Sequence, residues 1–188
     1  MSEHVVRHRA VSISVAPRGP HCFAAHVADL RTARLILHPV DAAEGERIVA
    51  RAPGDGDLWA SDFPFDGDVI GASAFLRAMA EHGEQGPFGF YRISRVADQR
   101  AIGGIGFKGQ PRGGRVEVGY GLAPWARGQG YAVEALRAIL SVAAEHGVSH
   151  VVADTDQNNV ASQRTLERAG LKRVGTEGDV CLYEIALT

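Results

Sequence analysis

The sequence predicts an α/β (α+β) fold: a central mixed sheet, mostly antiparallel, with one parallel strand pair and flanking helices. Three observations carry this. Residues 115–155 read strand, helix, strand, and a crossover helix of this kind makes a right-handed unit with parallel strands. Upstream, Phe88–Arg95 and Ala101–Lys108 flank Asp98 and Gln99 and read as a hairpin. Downstream, Leu171–Gly175 and Asp179–Leu187 are two closing strands.

Residues 1–30 read as an N-terminal extension, expected to be a mobile tail; Pro17, Gly19 and Pro20 interrupt any regular element. Val11, Ile13 and Val15 alternate and offer a short edge strand as the other reading. The domain proper is expected over residues 31–188. Its first strand carries Leu35 and Leu37 alternating with Ile36 and His38 and ends at Pro39. Asp41 is placed to accept a hydrogen bond as the N-cap of a helix over Ala42–Ala50. Gly, Pro and Asp mark PGDGDLWASDFPFDGD, residues 53–68, as a loop. A helix over Ala72–His82 puts Phe75, Leu76 and Met79 on one face, and Gly83 stops it.

PRGG at 111–114 is a turn before the strand Arg115–Leu122. Val133, Leu136, Ile139, Leu140 and Ala143 recur at helical spacing within Gly130–His146, and Gly147 ends that run. The apolar run in His150–Asp154 suits a strand buried on both faces. A last helix covers Val160–Ala169, with Gly170 at its C-terminus.

A chain of 188 residues with 45% hydrophobic residues suits one domain with a real core. A formal net charge of −2 argues against non-specific binding to nucleic acid or to an anionic membrane, both of which favour a basic surface. No apolar run approaches the roughly 20 residues that span a bilayer. The first residues lack the sustained apolar stretch of a signal peptide, so a cytoplasmic location is expected. Cys22 and Cys181 form no ligand pair, and the histidines are scattered, so no metal site is expected.

Two segments carry chemistry. In APWARGQGYAVEAL, residues 123–136, Pro124 ends a strand, Gly128 and Gly130 permit close backbone approach, and a helix starts directly after them. The first turn of a helix has main-chain N–H groups without internal partners and partial positive charge, which together bind phosphate. Arg127 can add a charge-assisted contact. The plain alternative is a tight turn that needs glycine. The spacing is neither GxGxxG nor GxxxxGK[ST], which disfavours dinucleotide oxidoreductases and P-loop enzymes. In TDQNNVASQRTLERAGL, residues 155–171, Asn159 follows the second parallel strand, beside the first segment, where open α/β sheets bind ligands. Asn159 reads equally as a simple N-cap.

Together these segments resemble the GNAT superfamily of acetyltransferases. Arg127, Gly130 and Ala132 follow the R-x-x-G-x-A form of its cofactor signature, extended by Glu134 and Ala135. Asn159 and Ser162, then Leu166, Gly170 and Leu171, resemble its closing N-x-x-S…G-F helix, with Leu in place of the usual Phe. TARLILHPV and AIGGIGFKG are similar to its first and third strands. The resemblance covers about residues 31–187 and is closest to the RimJ/RimL-like branch, which acetylates ribosomal-protein N-termini and related amines. It implies a fold whose two parallel strands splay apart, acetyl-CoA as cosubstrate, no metal, and a monomer or homodimer. The main chain of Arg127, Gly128, Gln129, Gly130, Tyr131 and Ala132 would then hold the pyrophosphate. Tyr120, Gly121 and Leu122 would pair with the pantetheine arm, and Asn159 would hydrogen-bond it from the other strand.

The implied reaction is transfer of acetyl to a primary amine, a protein N-terminus or a small cationic amine, by direct attack in a ternary complex. An amine attacks only in its neutral form, so a base or water relay is needed. The oxyanion needs a preorganised donor, which the family supplies from a backbone N–H near Leu122. Glu117 is the candidate base: in RVEVGYGL it shares a face with Gly119 and Gly121, which would leave open space beside a carboxylate. The alternative is a solvent-facing Glu. Leu166 stands where many members carry a proton-donating Tyr. Ser162, Tyr183 or water remain as the acid, and a non-catalytic acyl-CoA-binding module remains as the competing class. Asp55, Asp57, Asp62, Asp66 and Asp68, without Lys or Arg between residues 52 and 76, would favour a cationic acceptor. Trp59, Phe63 and Phe65 either wall the acceptor pocket or plug the core.

Overall fold

The computed structural model describes residues 27–187. Its chain order is β1 (Leu30–Arg31), β2 (Leu35–Pro39), α1 (Ala42–Ala50), α2 (Asp66–His82), β3 (Phe90–Arg95), β4 (Ala101–Phe107) and β5 (Arg115–Leu122). There follow α3 (Tyr131–Glu145), β6 (His150–Asp156), α4 (Val160–Ala169), β7 (Lys172–Glu177) and β8 (Val180–Ala186). The strands form one 8-stranded sheet in the order β1-β2-β3-β4-β5-β6-β8-β7. Every neighbouring pair is antiparallel except β5–β6, which the α3 crossover makes parallel. The mixed α/β fold expected from the sequence is the one observed. No described helix is long and apolar enough to cross a membrane.

Local signals position most of these elements. Asp41 caps α1 by accepting from the Glu44 N–H at 2.7 Å, and Gly83 ends α2 at positive φ. The apolar stripe of α3 packs Leu136, Ile139 and Ala143 at 0% exposure against Val116, Val118 and Val151 of the sheet, together with Leu166 of α4. On the opposite face of the sheet α2 packs over β3, β4 and β5. There a second cluster joins Ile48 of α1 and Ala72 of α2 to Phe63, Phe90 and Ala101.

Three expectations need correction. Helix α2 begins at Asp66, six residues before the expected start. Gly67, read as loop, and Gly71, just before the expected helix, are both helical, and glycine stands there because aromatic rings occupy the space of a side chain: an added Cβ would lie 2.5 Å from the Phe65 ring and 2.8 Å from that of Phe90. Strand β3 starts at Phe90, since Gly86–Phe88 forms a 3-10 turn. Strand β6 is buried on one face only: Val151, Ala153 and Thr155 point into the core, while Asp154 on the other face is exposed. Leu30 and Arg31 pair with Leu37 and Ile36, so the sheet already includes Leu30. Val11, Ile13, Val15 and Cys22 lie outside the described residues; Cys181 is buried with a free thiol.

Candidate active site

The parallel pair is short. β5 and β6 are in register from Arg115↔His150 to Glu117↔Val152, and no pairing continues beyond. On its other edge β5 stays paired with β4 as far as Leu122, in unbroken register. The Lys108 N–H donates to the Glu117 carbonyl and the Ala123 N–H to the Ile102 carbonyl. Hydrogen-bonding residues alternate along an antiparallel strand, so Glu117, Gly119, Gly121 and Ala123 turn their main-chain groups to β4. Val118, Tyr120 and Leu122 turn theirs to the gap left by β6. The Leu122 carbonyl is taken there by Arg127 Nε at 2.9 Å.

Beyond the gap, a 3-10 turn at Pro124–Ala126 leads into a loop in which Gly128 and Gly130 have φ of 77° and 80°. Such values suit glycine and lay successive N–H groups along one concave surface. Among the described residues nothing accepts from the N–H of Gly128, Gln129 or Gly130, and those of Tyr131, Ala132 and Val133 open α3. Nothing lies within 4 Å of a Cβ built on Gly128. These donors fit an anionic diphosphate. Arg127 does not extend them: its N–H donates to the Pro124 carbonyl at 3.2 Å, and its guanidinium binds Leu122 and lies 5.8 Å from the Phe65 ring centroid. The expected charge-assisted contact from Arg127 is thus already committed within the chain.

On the far side of the gap, Asn159 is the N-cap of α4, accepting from the Ser162 N–H at 3.1 Å. Both readings of Asn159 are compatible, because the cap uses Oδ1 and leaves the amide N–H2 group to donate elsewhere. The Ser162 hydroxyl lies 2.9 Å from that of Tyr120, reaching across from β5. Burial raises the Tyr120 phenol above its ordinary pKa. Leu166 is fully buried. Tyr183 is buried as well, its hydroxyl donating to Glu167 at 3.4 Å.

Glu117 faces the other side of the sheet, onto a cleft of about 850 Å³ between α2 and strands β4–β5. It is not a lone carboxylate. Lys108 Nζ lies 2.5 Å from its Oε1 and 2.6 Å from Asp154 Oδ1. Burial, opposed by Lys108 and assisted by Asp154, raises the Glu117 pKa. Hydrogen bonds from Lys108, then Glu117, lower that of Asp154. Burial pulls Lys108 down, yet its two carboxylate partners hold it above the ordinary lysine value. The open space expected beside Glu117 is half realised. At Gly119 only Lys108 Cε comes near, at 3.3 Å from a built Cβ, whereas the Gly121 position is filled by the Phe65 ring at 2.3 Å.

The Asp-rich loop does not line this cleft. Asp57 pairs with Arg47 at 2.8 Å, Asp66 pairs with Arg51, and Asp68, in the first turn of α2, is 1% exposed. Two of the loop's five carboxylates, those of Asp57 and Asp66, are paired by Arg47 of α1 and by Arg51 at its C-cap, outside the 52–76 window, which weakens the electrostatic argument for a cationic acceptor. Trp59 and Phe63 stack edge-on in the second core cluster; Phe65 alone borders the site. The sequence reading missed Lys108, Asp154 and Arg34. Strand alternation could have flagged Asp154 once β6 was paired with β5, but nothing local connects Arg34 to residues about a hundred positions away.

The site thus consists of main-chain donors at the point where two parallel strands separate, with a carboxylate cluster on the adjoining face. This chain belongs to the GNAT acetyltransferase domain family, whose model matches residues 34–172. A curated relative, the uncharacterized N-acetyltransferase YjdG of Bacillus subtilis (strain 168), is 33% identical over 85 residues, 44% of this chain. The match spans about half of that protein's length, 51%. Among solved structures, the ribosomal-protein-S5-alanine acetyltransferase of Vibrio fischeri superposes with a TM-score of 0.62 at 13% identity, over 85% of this chain and 97% of that one. RimL, the ribosomal L7/L12 alpha-N-protein acetyltransferase, in complex with coenzyme A, gives 0.60 at 18% identity, over 83% and 96%. At these identities the likeness is one of fold.

Proposed function

We propose that this chain transfers the acetyl group of acetyl-CoA to a primary amine, either a protein N-terminus or a small molecule, by direct attack in a ternary complex. The observation that carries the reading is the gap between β5 and β6, bordered by the unpaired edge of β5, the unpaired N–H groups of Gly128 to Gly130 and the N-cap Asn159. Acetyl-CoA supplies an activated acyl group and a thiol leaving group. Gly128 to Ala132 hold the pyrophosphate with main-chain N–H groups. Tyr120 hydrogen-bonds the pantetheine arm from β5, the Leu122 carbonyl being taken by Arg127, and the Asn159 amide does so from α4.

The Leu122 N–H supports negative charge developing on the carbonyl oxygen. Glu117 accepts the proton of the acceptor ammonium. At about 3.3 Å per residue, its Cα lies about 10 Å along β5 from Tyr120, so the proton reaches it through water. Ser162, held by Tyr120, donates a hydrogen bond to the departing sulfur in place of the phenol that Leu166 cannot provide. The test is thiol release from acetyl-CoA against a library of amines and N-terminal peptides. Release that depends on an acceptor is expected. CoA affinity without any acceptor-dependent release would leave a binding module instead, and no affinity for CoA would remove both readings.

The cradle makes a separate prediction. Gly130→Ala puts a Cβ on a backbone at φ 80°, at a cost of about 1–2 kcal/mol. CoA affinity measured by calorimetry is expected to fall about tenfold, with the kcat of the saturated enzyme little changed.

A further inference from the structure

Arg34 stands outside both signature segments, between β1 and β2, yet most of its polar contacts are to residues 129–134. Its Nη1 donates to the Gln129 carbonyl at 2.9 Å. Its Nε and Nη2 both lie 2.7 Å from Glu134 Oε2. Its own N–H donates to Glu134 Oε1 at 2.8 Å, and the Thr32 hydroxyl donates to the same oxygen at 2.6 Å. The guanidinium carbon stacks 4.7 Å from the Tyr131 ring centroid. We infer that Arg34 is a positioning residue for the pyrophosphate loop, holding it in its anion-binding shape and neutralising the carboxylate at its rim.

Two features require such a residue. Gln129 sits between two left-handed glycines, where no helix or strand ladder fixes the main chain. It is held by its carbonyl, through Arg34, and by its side-chain amide, which donates to the Trp125 carbonyl at 3.0 Å. A carbonyl free to rotate toward the N–H groups would compete with an anion for them. Secondly, Glu134 lies in the first turn of α3, beside the site proposed for two negatively charged phosphates. Burial would raise its pKa, but Thr32 and Arg34 lower it on balance, so it stays ionised. An ionised carboxylate there repels the ligand unless it is paired, and Arg34 supplies the pairing in fork geometry that a lysine cannot match.

The inference rests on the acetyl-CoA reading and is tested separately from it. Arg34→Met and Arg34→Lys would be compared with the unaltered protein by calorimetric titration of CoA, thermal melting, and kcat/KM with acetyl-CoA and with S-acetylpantetheine, which lacks the pyrophosphate. Loss of charge-assisted hydrogen bonds is expected to raise the CoA Kd about ten- to hundredfold in Arg34→Met, with a smaller rise in Arg34→Lys. The kcat/KM for S-acetylpantetheine should stay within about twofold of the unaltered protein in both. A purely structural brace would lower both donors equally, and that result overturns the inference, as does an unchanged CoA Kd. Should Arg34→Met not fold, Arg34→Lys decides by the same two criteria. Failure of the unaltered protein to bind CoA would instead remove the underlying reading.

Discussion

Glu117→Gln is expected to lower kcat/KM for acetyl transfer by about 10²–10⁴, the usual contribution of a positioned general base, while the Kd for CoA stays unchanged. The substitution keeps the shape of the side chain and removes its proton affinity together with the charge paired to Lys108. The pH dependence tests the assignment more sharply. A base works only when deprotonated, so the rate falls as pH drops through the Glu117 pKa. That pKa is raised by burial and by Asp154 and lowered by Lys108, with a net upward shift from 4.5. The acidic limb should therefore lie above the ordinary carboxylate range. Lys108→Met removes the cation that favours ionised Glu117, and the limb should move to higher pH. Asp154→Asn removes the neighbouring negative charge, and the limb should move to lower pH. The acceptor's own ionisation is common to all variants, so the displacement between them is the readout. Opposite displacements in Lys108→Met and Asp154→Asn support the assignment. Identical profiles in all variants, or a Glu117→Gln enzyme with full activity, would remove Glu117 from the reaction.

Much of this architecture is legible in the residues, because the signals there are local. The α1 start at Asp41, the α3 stripe, the glycine stops and the alternation of RVEVGYGL all depend on neighbours a few positions apart. The face shared by Glu117, Gly119 and Gly121 could be read because β4 and β5 pair without a bulge. What could not be read depends on contacts between distant segments. Gly67, Gly71 and Gly121 look like breakers or open space, but Phe65 and Phe90 fill the room they leave. The acidic loop reads as five free carboxylates, but Arg47 and Arg51 pair two of them. Lys108 changes Glu117 from an isolated carboxylate into part of a coupled cluster, and Arg34 joins the phosphate loop only because β2 and α3 pack on one another.

Asp68→Asn is expected to stabilise the protein at neutral and alkaline pH, by an amount that grows with pH. The Asp68 carboxyl is 1% exposed. One oxygen accepts from the Phe65 N–H at 3.2 Å, and the other has no hydrogen-bond partner among the described residues. It lies against Gly104, 3.1 Å from a Cβ built there, and Gly104 pairs with Gly121 of β5. Burial raises its pKa from 3.8 to about 7. For an acid whose pKa is higher in the folded state, the folded chain binds more protons than the unfolded one between the two values. Stability from this group is therefore complete below about pH 3.8, falls as pH rises toward 7, and is flat above. The full difference is on the order of 4 kcal/mol. Asparagine keeps an acceptor for the Phe65 N–H and carries no charge to bury, although its amide leaves a donor unpaired at a cost of about 1–3 kcal/mol. The comparison across pH isolates the charge: denaturant unfolding of both proteins at pH 4.5, 6 and 8 should show the advantage of Asp68→Asn increasing by several kcal/mol over that range. A difference that does not vary with pH would mean that the folded protein leaves the Asp68 pKa where the unfolded chain has it. The direction matters for the site, because Asp68 fixes the start of α2 and so the Phe65 ring over Gly121. A charge that weakens this corner as pH rises toward 7 would loosen the roof of the cleft before acceptor amines, with pKa values of about 7.7 and higher, become neutral.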